Sequence, residues 1–96
     1  MNKFNLIKKT ALITGSSGLL GVEHTMALLE QGAAVVMTDV NEKSLVSAYN
    51  SLLNANNKDR LFCKVMDVTS KESIQDVADE LQKDGINIDI LINNAA

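Results

Sequence analysis

Gly15, Gly18 and Gly21 stand three residues apart in the run Thr14-Gly15-Ser16-Ser17-Gly18-Leu19-Leu20-Gly21, a spacing suited to holding a phosphate with main-chain amides. Gly15 would permit a sharp turn, Gly18 would let the backbone approach an anion, and Gly21 would let a helix pack closely on a strand. A helix starting here has first-turn amides without internal partners and the positive end of its dipole, both of which favour an anion. Asp39 lies 18 residues past Gly21, near the distance at which a dinucleotide site places an acidic residue for the adenosine ribose hydroxyls. The plainer use of Asp39 is to cap a helix beginning near Asn41, and the two uses can coexist.

A carboxylate at position 39 also discriminates between the two nicotinamide cofactors. A ribose 2′-phosphate would lie close to it, and a unit-charge pair about 4 Å apart costs about 4 kcal/mol at an effective dielectric of about 20. If half of that survives, the preference is still roughly thirtyfold. No Lys or Arg lies in the glycine loop or beside Asp39, and Lys43, the nearest, falls inside the next helical stretch. NAD is therefore expected over NADP.

Other residue types that could do chemistry are poorly placed for it. His24 is the single histidine and Cys63 the single cysteine, which leaves no zinc-ligand set and no internal disulfide. His24 reads as a surface or packing residue of the first helix, Cys63 as a small apolar group in a strand. Ser16 and Ser17 lack the elbow pattern of a hydrolase nucleophile. The loop lacks the Gly-Lys-Ser/Thr ending of a nucleoside-triphosphate site.

The elements that must position these residues alternate between two kinds. Thr10–Thr14 reads as a buried strand, and 20–31 as a helix stopped by Gly32. A second apolar run, 33–38, leads to Asp39. Asn41 can cap a helix to about Asn54, with Leu45, Ala48 and Leu52 on one face. Residues 61–66 form a third strand candidate. Thr69 with Glu72 makes a capping box for a helix whose stripe is Ile74, Val77, Ala78 and Leu81. Gly85 ends that helix, and 88–92 reads as a fourth strand.

The order βαβαβαβ implies a Rossmann-like α/β fold: a doubly wound parallel sheet with helices on both faces and strand order 3-2-1-4. The near-continuous apolar character of the first, second and fourth strands is that of strands covered on both sides.

Composition agrees with one small globular domain or part of a larger one, because 46% of the 96 residues are hydrophobic and 22% charged. A net charge of -3 disfavours nucleic acid or an anionic membrane as a partner. Lys8 and Lys9 break the apolar start, so no signal-peptide core develops, and no run approaches the length of a membrane span. A cytoplasmic location is the expectation.

With these segments in hand, the chain resembles the short-chain dehydrogenase/reductase family. Besides the glycine loop, Asp67-Val68-Thr69 after the third strand and Ile88-Asp89-Ile90-Leu91-Ile92-Asn93-Asn94-Ala95 carry the likeness. The second is similar to the family's fourth strand ending in Asn-Asn-Ala-Gly. The resemblance implies that Gly15, Ser16, Ser17, Gly18, Leu20 and Gly21 cradle the pyrophosphate of NAD. It implies that Asp39 and Val40 hold the adenosine ribose, and Asp67 and Val68 the adenine. Asn93 and Ala95 would line the floor of the cleft, with Asn94 bracing the strand. Leu19 departs from the commoner branch, which has glycine there; Gly-x-x-Gly-x-x-Gly resembles the extended branch, whose members often act on nucleotide sugars. Ala96 stands where glycine is usual.

The family's catalytic serine, tyrosine and lysine would follow position 96. Tyr49 is the only tyrosine and has Leu53 four residues on, so no catalytic residue is assigned and Tyr49 is expected to pack. Residues 1–96 are expected to be the N-terminal, cofactor-binding portion of an NAD-dependent oxidoreductase, without its catalytic half and inactive alone. The full protein would transfer hydride between nicotinamide and a carbonyl or alcohol, with a sugar or nucleotide sugar as a candidate substrate, and would be a homo-oligomer. Two alternatives stay open: a non-catalytic dinucleotide-binding module, and a nonfunctional truncated remnant.

Overall fold

The computed structural model describes residues 6–94. The chain runs β1 (Thr10–Thr14), α1 (Leu19–Glu30), β2 (Ala34–Asp39), α2 (Glu42–Leu52), β3 (Leu61–Val65), α3 (Lys71–Lys83) and β4 (Ile90–Asn93). The four strands form one parallel sheet in the order β3-β2-β1-β4, as the alternation of strands and helices predicts.

Side chains alternate across the sheet with the two-residue period of a strand. Ile13, Val35, Met37 and Leu61 face α1 and α2, where they pack with Leu45 and with half-buried Leu28, Leu29, Tyr49 and Leu52. Leu12, Val36 and Met66 face α3 and meet Val77 and Leu81. Two helices therefore cover one face and a single helix the other. The expectation that β4 is covered on both sides is corrected by this: Ile92 packs inward, but Leu91 is 67% exposed on the α3 side. Leu12, Ile74, Ala78 and Leu91 line an open apolar groove of about 540 Å³ there.

Element ends differ from the sequence reading where competing side chains decide them. Asp89 forms a two-way clamp with Thr10, its amide donating to the Thr10 carbonyl at 2.8 Å and its carboxylate accepting from the Thr10 amide at 2.9 Å. β4 starts only after this clamp, so Ile88 and Asp89 lie outside it. The Thr69–Glu72 capping box does not form. Ser70 is the cap of α3, accepting from the Ser73 amide at 3.1 Å, because Asp67 takes the Thr69 hydroxyl at 2.6 Å. Asn41 caps α2 as read, accepting from the Ser44 amide at 2.9 Å. Arg60 donates to the Leu29 and Ala33 carbonyls at the end of α1, supplying the cation that this helix's own last turn lacks.

Candidate functional site

The glycine loop leaves β1 through Gly15, whose φ of +63° is left-handed and costs glycine little. Gly21 is required for a different reason: a Cβ there would lie 2.5 Å from the Gly15 carbonyl oxygen and 2.6 Å from Ser16 Cα. The loop thus folds directly under the first turn of α1. Ser16 holds it down. Its fully buried hydroxyl reaches the Ile13 and Thr38 carbonyls at 2.9 and 2.7 Å and accepts from the Thr38 amide at 2.6 Å. The Ser16 amide donates to the Thr38 carbonyl at 3.0 Å. Ser16 therefore shapes the loop from below, with both its hydroxyl and its amide already engaged.

The N-terminus of α1 differs from those of α2 and α3. Gly18 stands at its cap position with extended backbone and no side-chain hydrogen bond, and its first turn contains no acidic residue. Partial positive charge on the first-turn amides is left without a side-chain counterpart, which favours an anion above the loop. Gly18 leaves the approach open, since a Cβ there would meet only the Gly15 oxygen, at 3.6 Å. Leu19 and Leu20 lie outward, 80% and 56% exposed.

Asp39, the last residue of β2, reaches the loop from the neighbouring strand. Its Oδ2 accepts from the Ser17 hydroxyl at 2.5 Å and the Ser17 amide at 3.1 Å. Its Oδ1 accepts from the Val40 amide at 2.8 Å and the Asn41 amide at 3.5 Å. Partial burial opposes ionisation, but these donors, Ser17 foremost, outweigh it and hold the carboxyl below its ordinary value of 3.8. The cap of α2 is Asn41 and not Asp39, which leaves Asp39 turned toward the loop.

Beyond Asp39 the chain ends of β2 and β3 enclose a cleft of about 290 Å³, lined by Gly15, Asp39, Val40, Met66, Asp67, Val68 and Thr69. The structure thus gathers Asp39, Val40, Asp67 and Val68 with Gly15 around one space. Met66 and Thr69 join them; the Thr69 hydroxyl and amide donate to Asp67, at 2.6 and 2.9 Å, and hold its carboxyl below 3.8. The lining contains two carboxylates and no cation.

On the other side of β1, Thr14 Oγ1 donates to Asn93 Oδ1 at 2.6 Å. The Asn94 amide donates to Thr14 Oγ1 at 3.1 Å, and Asn94 Nδ2 lies 3.1 Å from His24 Nδ1 on α1. Asn93 and Asn94 therefore end β4 at the same edge of the sheet as the glycine loop; Ala95 lies outside the described residues. His24 has a partner that its sequence neighbourhood could not reveal. Tyr49, on α2, packs against the core, its hydroxyl 3.4 Å from the Leu61 carbonyl. Cys63 is half-buried and burial raises its thiol. Among the described residues no group of three or more His, Cys, Asp or Glu could hold a metal, and no helix is long and apolar enough to cross a membrane.

Comparison with known proteins places this geometry. The family model described as short chain dehydrogenase matches residues 9–96. A short chain dehydrogenase/reductase of Gibberella zeae is 36% identical over 92 residues, 96% of this chain and 33% of that protein. Among solved structures, an NAD+-bound xylitol dehydrogenase aligns with a TM-score of 0.83 and 31% identity, covering 96% of this chain and 35% of its own. The N-domain of a bacterial malonyl-CoA reductase, solved with NADP, aligns with a TM-score of 0.79 and 33% identity, covering 95% and 17%. The chain spans about a third of the length of the first of these relatives.

Proposed function

The chain belongs to the short-chain dehydrogenase family of oxidoreductases, and from that premise we propose that residues 1–96 are the cofactor-binding part of an NAD-dependent enzyme. The observation that carries the reading is Asp39. Its carboxylate closes the end of a cleft that has no cation, beside a helix N-terminus with no side-chain cap.

The residues fit such a cofactor. The first-turn amides of α1 and the open face of Gly18 suit the pyrophosphate, with Ser16 and Gly21 fixing the loop and Ser17 and Leu20 flanking it. Asp39 and Val40 suit the adenosine ribose, and Asp67 and Val68 the adenine. Four donors already meet the four lone-pair sites of the Asp39 carboxylate. A ribose diol would replace the Asn41 contact, the longest at 3.5 Å, and the Ser17 hydroxyl. Asn93 would form the floor under the nicotinamide half, which supplies the hydride acceptor of the redox reaction. The whole protein would exchange that hydride with a carbonyl or alcohol carbon of a small molecule.

Calorimetry with NAD and NADP tests the reading. NAD is expected to bind roughly thirtyfold more tightly, from repulsion between Asp39 and the 2′-phosphate. Asp39→Ser should narrow that ratio by weakening NAD and relieving NADP. Equal affinities would remove the selectivity argument, and no heat from either dinucleotide would remove the cofactor reading itself.

A further inference from the structure

The strand order reverses about β1, with β2 on one side and β4 on the other. In open α/β sheets a dinucleotide straddles that crevice at the strands' carboxyl ends. Asp39 on β2 marks the adenosine side, so the opposite half of the ligand lies toward β4, where Asn93 and Asn94 end the strand. Hydrogen bonds run through this wall in one direction. Asn94 N–H donates to Thr14 Oγ1 and Thr14 Oγ1 donates to Asn93 Oδ1. The Asn94 amide also lies 3.3 Å from the Thr14 carbonyl.

The Asn94 side chain leaves this chain of bonds toward α1 and meets His24 at 3.1 Å. The atom facing the ring is Nδ2, which carries only donors, so Nδ1 must accept. A ring with Nδ1 bare and its proton on Nε2 completes that contact. An Nδ1–H ring would set two donors face to face and turn the Asn94 amide away.

Resting on the cofactor reading above, we propose that His24 is a positioning residue for the nicotinamide side of the cleft. As an acceptor on α1 it orients Asn94 and, through the shared Thr14, the floor residue Asn93. One helix then carries the anion site at its start and a tie to the β4 wall one turn later. The angle between the two halves of the cleft is set by α1.

Two measurements test this. Long-range 1H–15N NMR on the unmodified chain above pH 8 should show Nε2 protonated and Nδ1 bare; an Nδ1–H tautomer overturns the proposal. Calorimetry with NAD and with ADP-ribose, which lacks the nicotinamide, then compares His24→Leu and His24→Asn with the parent. His24→Leu should weaken NAD about two- to tenfold, the scale of one hydrogen bond, and leave ADP-ribose unchanged. His24→Asn, which keeps an acceptor at the δ position, should stay within about twofold of the parent. Unchanged NAD binding by His24→Leu, or parallel loss of both ligands, overturns the positioning role while the cofactor reading stands. If the parent binds neither ligand, both fall.

Discussion

The Ser17 hydroxyl and the Ser17 amide both close on one oxygen of Asp39, at 2.5 and 3.1 Å. A loop leaving β1 is thereby fastened to the last residue of β2. Ser16 adds a second fastening to the same strand through Thr38. The start of α1 and the Asp39 carboxylate, proposed above to hold the pyrophosphate and the ribose, are thus joined through the loop in one hydrogen-bonded unit. The Ser17 amide and Ser16 bonds, which the proposed ligand would leave in place, would lower the ordering cost of binding.

Removing the Ser17 hydroxyl tests this unit through pH. Asp39 titrates below 3.8 in the fold, as does Asp67 with its Thr69 donors. A carboxyl lowered by folding stabilises the fold above its unfolded value, and that contribution is lost as pH falls through the folded value. Ser17→Ala should raise the Asp39 midpoint toward 3.8, read from side-chain carboxyl 13C shifts. The urea midpoint of the parent should fall as the pH drops below about 4, and less steeply in Ser17→Ala combined with Thr69→Val. An Asp39 titration unmoved by Ser17→Ala would show that the bridge does not form in solution.

The start of α3 gives a sharper local test. Ser70 caps the helix, whereas the Thr69 hydroxyl is turned to Asp67. Ser70→Ala should cost about 1 kcal/mol of stability, the usual loss for a capping residue. Thr69→Ala should cost less than half of that while raising the Asp67 midpoint. Equal losses in urea titrations would restore the Thr69–Glu72 box.

What could be read in the sequence follows from how local its causes are. β1 was legible to the residue because Ala11, Leu12, Ile13 and Thr14 are buried on both faces of the sheet. The glycine triplet and Asp39 were legible because backbone conformation and charge are written at single positions. The cap of α3 was misread by one residue because Thr69-x-x-Glu72 and Ser70-x-x-Ser73 overlap, and only the position of Asp67 decides between them. Ser16 and His24 were not legible. Their partners, Thr38 and Asn94, lie 22 and 70 residues along the chain, and only the strand order brings them near.

Gly18 and Gly21 look equivalent in the sequence, and the structure separates them. At Gly21 an added Cβ would strike backbone atoms on two residues, at 2.5 to 2.9 Å. Main chain cannot swing aside as a flexible side chain can, so Gly21→Ala should destabilise the fold by about 1–3 kcal/mol. The strain outweighs the propensity gain of at most about 1 kcal/mol that alanine has over glycine, which is smaller in this first turn than in a helix interior. At Gly18 the added carbon meets one oxygen at ordinary contact distance, and φ of −75° suits any residue. Gly18→Ala should change stability by less than about 1 kcal/mol. Its methyl group would instead stand where a pyrophosphate approaches, and dinucleotide affinity should fall by at least about tenfold. Thermal melts and calorimetry on the two variants distinguish the roles. If Gly18→Ala bound NAD as tightly as the parent, the anion could not lie against the start of α1.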